Sequence, residues 1–286
     1  MLERLVQLDR RWIFLLMLLA VSVPICLQKS FPERPTEFVL AVFNKLEELP
    51  EGSRVLFSFD CAPSSDGELA PMMKGLVRHC CLKRHKMLFM TLWPDGKPLI
   101  ERTITDVIEG EFRDAGFRYG EGYVNLGFST GNEVVIKGIA TNLRNMFAKD
   151  EGRVDLDDLP ITADVTNLQD MDLLVTISAG YPGSKEWVQY AASPLGIPLA
   201  VGATAVQAPQ AYPYIPRQMI GILAAIKGAA EYEVALAGRY PRFAGAAQQE
   251  GVRRMAPQLS AHLLIIGLIV AGNAIYLFSR RSGDRQ

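Results

Sequence analysis

Hydrophobic positions along this chain follow two rhythms. Short runs rich in β-branched and aromatic residues, at Val55–Phe59, Met87–Leu92, Tyr123–Leu126, Asp172–Ser178 and Ile197–Val201, are too short for helices and predict five buried strands. Between them, apolar residues recur every three or four positions. Leu69, Met72, Met73, Leu76, Val77, Cys80 and Cys81 form the longest stripe, and similar stripes cover Phe38–Leu46, Ile100–Ile108, Val135–Met146 and Trp187–Ala191. Each predicts a helix with one buried face. A small-residue run, PRQMIGILAAIKGAAEYEVAL, extends the helical pattern from about Pro216 to Leu236. The acidic stretch Asp150–Asp158, followed by Pro160, has no periodicity and reads as a surface connection.

Strand followed by helix, repeated along the chain, predicts an α/β domain: a doubly wound, mostly parallel five-stranded sheet, Rossmann-like or flavodoxin-like. The unit that opens it is Val55–Glu68. Its strand stops at Asp60, Cys61-Ala62-Pro63 makes the turn, and Ser65 with Glu68 has the spacing in which side chains cap a helix. Thr130 and Glu133 repeat that spacing.

The two ends add a membrane. The stretch between Arg11 and Lys29 and the one from Met255 to Ser279 carry no formal charge. Both approach the ~20 residues that a helix needs to cross hydrocarbon. Arg4, Arg10 and Arg11 precede the first, and Arg280, Arg281 and Arg285 follow the second, which places the termini inside and the large domain outside. The expected organisation is a cytoplasmic tail and transmembrane helix over 1–29, a soluble α/β domain over 30–254, and a transmembrane helix with a basic tail over 255–286. The expectation is therefore a two-pass protein of the cell membrane with an extracytoplasmic domain. The formal net charge of −1 gives no reason to expect nucleic acid. Cys61 lies before the first domain helix and Cys80 and Cys81 near its end, roughly 22 Å away at helical rise, so no disulfide is expected between them.

Ligands of parallel α/β sheets bind beyond the carboxyl ends of the strands, where five loops should gather. These loops supply Asp60, Ser64, Ser65, Trp93, Asp95, Ser129, Thr130, Gly183, Ser184 and Thr204 as candidate ligand-binding residues. Free amides at helix N-termini would favour a small polar, anionic or hydroxylated ligand there. GFSTG at Gly127–Gly131 matches the G-x-S-x-G elbow of α/β-hydrolases. The His that such a serine needs is missing: His262 lies in the second apolar stretch, and His79 and His85 sit near the other edge of the sheet. Thr130 is better read as a helix cap. Asp60 lacks the second acid of the aspartyl phosphatases, since Ala62 stands two residues on, and no G-x-G-x-x-G follows the first strand, so no nicotinamide cofactor is expected. His79, Cys80, Cys81 and His85 cannot converge on a metal from one helix. Glu231 and Glu233, separated by Tyr232, cannot share a helix face.

FSFD at Phe57–Asp60, WPDG at Trp93–Gly96, NLGFSTG at Asn125–Gly131 and KGAAEYE at Lys227–Glu233 resemble an uncharacterised family of bacterial membrane-tethered α/β proteins. The resemblance spans the soluble stretch and implies a tethered α/β domain, with no catalytic residue carried over. The functional expectation is a non-enzymatic ligand-binding or scaffolding subunit of a membrane or envelope complex, with protein partners and without cofactor or metal. The alternative is a tethered hydrolase or transferase using Asp60, Ser64, Ser129 and Ser184.

Overall fold

The computed structural model describes residues 9–27 and 33–283. Arg4, Lys29 and Arg285, used above for the apolar stretches and their orientation, lie outside the described residues. Two compact units are present: one comprises the terminal helices, and the other runs from Glu33 to Gly251.

In the terminal unit, helix α1 (Arg10–Leu27) is long and apolar enough to cross a membrane, and so is the Glu250–Leu277 part of the final helix. Neither stretch is buried within the protein.

The second unit begins with α2 (Glu37–Glu48), followed by β1 (Arg54–Asp60), α3 (Asp66–Lys83), β2 (Lys86–Thr91) and α4 (Lys97–Thr103), which continues as a π-helical turn, Ile104–Glu111. Then come β3 (Tyr123–Phe128), α5 (Glu133–Thr141), β4 (Leu173–Ser178) and α6 (Ser184–Trp187), prolonged by a π-turn over Val188–Ala192. The unit closes with β5 (Leu199–Ala203), α7 (Ala208–Ala211), β6 (Gly221–Ala224) and α8 (Ala225–Arg239). The final helix is α9 (Glu250–Gly283).

All six strands are parallel, in the order β3-β2-β1-β4-β5-β6. Parallel neighbours require crossover connections, here largely helical, so both faces of the sheet are covered and the strands read as continuous apolar runs. Leu56, Leu88, Val124 and Leu174 point to the face packed by Val135, Ile136 and Ile139 of α5 and by Trp187 and Val188. The alternate residues serve the other face, where Phe57 and Phe89 stack with centroids 5.2 Å apart. There α8 packs closely against α3, with the Tyr232 ring over Gly75, where an added methyl group would lie 3.3 Å from the ring.

Three sequence expectations are corrected. The sheet has six strands rather than five, and β1 neighbours β4, unlike a flavodoxin-like order. The extra strand was hidden inside the expected helix from Pro216 to Leu236. Its turn into α8 uses Ala225 at φ 54°, a left-handed conformation costing about 1 kcal/mol for a residue with a Cβ, so no glycine or proline marks the break. The connection through Asp150 and Asp158 is not a surface loop throughout. Asp150, Leu156, Leu159 and Ile161 are buried; Asp150 accepts hydrogen bonds from Tyr119 Oη at 2.6 Å and from the Val154 amide at 2.7 Å. Third, neither capping box forms: Ser65 makes no side-chain cap bond, and Asn132 rather than Thr130 occupies the cap position of α5, again without one.

Candidate functional site

The strand order reverses direction between β1 and β4, which opens a crevice beyond their carboxyl ends. Asp60 ends β1 at that point and is completely buried. Ser58 Oγ lies 2.8 Å from both carboxylate oxygens, the Leu92 amide donates to Oδ1 at 2.8 Å, and Trp187 Nε1 donates to Oδ2 at 3.1 Å. Every donor is neutral. Burial therefore pushes the Asp60 carboxyl up to about 6, against the pull of these hydrogen bonds. The carboxylate ties together β1, the loop after β2 and the helix after β4, and its acceptor sites are turned inward to the protein.

The crevice above it is closed by the same loops. Trp93 Nε1 donates to the Pro182 carbonyl at 3.3 Å, and the indole lies so close to Gly180 that a methyl group there would be 3.1 Å from the ring. Gly183 and Ser184 are buried at the start of α6, and the Ser184 amide reaches Ser178 Oγ at 3.4 Å. Thr204 donates its amide to the Ser178 carbonyl at 3.4 Å. Ser129 donates its amide to the Thr91 carbonyl at 3.3 Å and is half-buried beside β3, with Thr130 exposed after it. Ser64 and Asp95 are exposed on short turns, and Ser65 is half-buried. Asp60, Trp93, Gly183, Ser184 and Thr204 thus gather around β1 and β4, whereas Asp95, Ser129 and Thr130 stand on the β2 and β3 side.

Amides expected to face a ligand are occupied by the chain's own carboxylates. Glu186 accepts from the Gly183 amide at 2.9 Å, and Glu68 accepts from Ala205 at 3.1 Å. Glu133, in the first turn of α5, accepts from Tyr181 Oη at 2.5 Å. Acidic side chains at these helix starts oppose the positive ends of the helix dipoles and make the edge a poor host for an anion. His79 is far from Ser129 in function as well as in chain position: its Nδ1 pairs with Tyr232 Oη at 2.6 Å and its Nε2 with Glu47 Oε1 at 2.9 Å. Burial holds the His79 imidazole down at about 4 despite Glu47. Cys61, Cys80 and Cys81 are buried free thiols.

A second polar cluster escaped sequence reasoning. Helix α8 carries Glu231 and Glu233, both 2% exposed, on either side of the fully buried Tyr232. Glu231 Oε2 accepts from the Thr36 amide at 2.9 Å and from Thr36 Oγ1 at 2.7 Å, while Oε1 pairs with Lys227, which also reaches Glu33 at 3.5 Å. Glu233 Oε1 accepts from the Gly251 amide at 3.1 Å. Both segments that connect the α/β unit to the terminal helices are therefore fastened to one helix. Consecutive helical positions diverge by about 100°, so the spacing that rules out shared chemistry suits two separate attachments. The available signal was two charges inside an otherwise apolar, small-residue run.

Two cavities lie away from β1 and its neighbour β4. One of about 320 Å³ sits near the amino ends of β5 and β6, among Ser193, Pro198, Arg217 and Gln218. Another, of about 290 Å³, lies beside β3. Comparison with family models, with curated proteins and with solved structures returns no match for this chain.

Proposed function

We propose that this protein is a non-enzymatic, membrane-anchored scaffolding subunit whose α/β domain lies in the chain between two apolar terminal helices. The observation that carries the reading is the pair of buried glutamates on α8, which fasten the chain both at Thr36 and at Gly251. Both ends of the domain's chain are thereby secured to one of its own helices. That suits a fixed part of an assembly better than a diffusing catalyst.

Two further features support it. The strand order is that of dinucleotide-binding sheets, and on this ground we read the fold as Rossmann-like; yet the place where such sheets hold a ligand is filled here by Trp93, Trp187 and the inward-facing Asp60. The candidate loop residues act, on this reading, to close the sheet and offer a surface to a protein partner. On this reading the domain is extracytoplasmic, which the basic flanks support.

Cross-linking in intact membranes, followed by mild detergent extraction and native mass measurement, tests the reading. The expected result is a stoichiometric complex larger than one chain, with the domain cut by protease added from outside. A solitary monomer, or turnover of an ester or phosphoryl substrate that disappears in Asp60→Asn while the fold persists, would replace the scaffold by the enzyme reading.

A further inference from the structure

The segment between α8 and α9 carries two cations that the protein leaves unmatched. It departs from α8 at Arg239, makes a tight turn over Pro241–Phe243 and reaches Glu250, where α9 begins. Arg239 and Arg242 are both exposed, and neither donates a hydrogen bond nor forms an ion pair among the described residues. Aromatic rings hold them instead. The Arg242 guanidinium lies 4.7 Å from the ring centroid of Phe243 and 4.9 Å from that of Phe112, two buried rings stacked 6.2 Å apart. The Arg239 guanidinium lies 5.8 Å from the Tyr240 ring centroid. A ring face fixes a guanidinium without consuming its N–H fork, so the donors of both stay open. The segment is itself fastened, because the Phe243 amide donates to the Tyr240 carbonyl at 3.0 Å and Arg78 donates to the Gln248 carbonyl at 3.4 Å.

Acids close by are already spent. Glu111, next to Phe112 in the chain, accepts from Arg78 in two bonds of 2.7 Å. Glu47 accepts from the Tyr240 hydroxyl at 2.6 Å and also pairs with His79 at 2.9 Å and Lys83 at 3.5 Å. Arg113 is followed by Asp114, so that pair adds no net charge. The surplus is two fixed guanidiniums, planar forks that match phosphate oxygens in bidentate fashion.

The chain supplies the second clue. Only the short run Phe243–Gln249 separates Arg242 from Glu250, the first residue of the stretch long and apolar enough to cross a membrane. Arg253 and Arg254 follow at the head of that stretch. Arginines beside an apolar span meet the surface potential of anionic lipid, which acts only within a Debye length, ~8 Å at physiological salt. A nucleic acid or an acidic protein would match the charge, but only a lipid surface is also brought to this segment by the chain.

We propose that Arg239 and Arg242, with the rings that hold them, form a docking surface for the phosphate head groups of anionic phospholipid. The inference shares with the scaffolding reading the assignment of Glu250–Leu277 as a membrane span and is otherwise independent of it.

The test uses the full chain reconstituted into vesicles of phosphatidylcholine alone or mixed with phosphatidylglycerol. A nitroxide on Ala244→Cys, in a Cys26→Ser background that leaves only buried native thiols, reports access to a water-soluble nickel chelate present on both sides. The label should be shielded in the mixed vesicles and open in phosphatidylcholine, and raising the salt should reverse the shielding without any change in sequence. Arg239→Gln combined with Arg242→Gln should lower the ratio of shielded to open label about thirtyfold, or about fivefold for each arginine. Failure to enter either vesicle would overturn the span and the proposal together. Equal access in the two lipids, or shielding that persists in high salt or in the double variant, would overturn the proposal alone. Shielding found only in native membranes, and in neither vesicle, would assign the surface to a protein partner and overturn it as well.

Discussion

Asp60 at the tip of β1 and Glu231 in α8 are both nearly inaccessible carboxylates, yet they solve burial in opposite ways. Asp60 is surrounded by neutral donors from three loops, so its charge is poorly compensated and its carboxyl is pushed up to about 6. Glu231 faces the Lys227 ammonium and a threonine that contributes both its amide and its hydroxyl. The first knots the centre of the sheet and closes the crevice; the second fastens a chain end. A buried acid is therefore no guide to a ligand site until its donors are counted, and here the donors of both belong to the protein itself.

This contrast can be broken most forcefully at α8. Glu231→Ala leaves Lys227 facing Glu33 alone and frees Thr36, and should cost about 3 kcal/mol, the lower end for breaking a buried ion pair because the Lys227 side chain is 54% exposed. Denaturant unfolding measures the loss. Limited proteolysis should begin near Thr36 in this variant; unchanged cleavage would detach Glu231 from any tethering role.

Acid titration separates the two kinds of burial with comparable size and opposite sign. The folded His79 is held at about 4 against an ordinary value of 6.5, so the unfolded chain takes up the proton first and stability falls as pH drops from about 6.5 towards 4. Asp60 behaves inversely. Its folded carboxyl, at about 6 against 3.8, keeps the proton while the unfolded chain loses it, so its contribution falls as pH rises from about 4 to 6. Each amounts to about 3 kcal/mol at full extent. Asp60→Asn removes the compensating slope, and its unfolding free energy should fall more steeply on acidification than that of the unaltered protein. A parallel pH profile for the two would contradict the assignment.

Trp93→Ala should open the crevice without touching Asp60. The indole is half-buried, so the expected cost is about 2 kcal/mol, below the range for a fully buried tryptophan. Quenching of the remaining tryptophans should increase, because the contact with Gly180 and Pro182 no longer shields Trp187. At the weak end, Ser129→Ala should change stability by less than about 0.5 kcal/mol and leave no esterase activity to lose, since both ring nitrogens of His79 are committed to Tyr232 and Glu47. A serine-reactive probe that labels Ser129 would restore the elbow reading.

Much of the α/β unit was legible in the residues. The five expected strands are all present and parallel, and the α3 stripe from Leu69 to Cys81 is buried as its spacing required. Asp60 was correctly placed at a strand end. Its partners were not readable, because Leu92 contributes a backbone amide, which leaves no mark in sequence, and Trp187 is 127 positions away. The two S/T-x-x-E matches misled for a related reason: Glu68 and Glu133 pair with groups distant in sequence, the Ala205 amide and the Tyr181 hydroxyl.

Local pattern alone determined five of the six strands, which helical faces turn inward and which terminal stretches are apolar enough for a bilayer, since each depends on side chains a few positions apart. Tertiary structure alone decided strand order, the sixth strand, the closure of the crevice and the double attachment on α8. Those outcomes depend on contacts between residues up to 195 positions apart, such as Thr36 with Glu231. Their energies come from pairing buried polar groups, and no periodicity records which donor meets which acceptor.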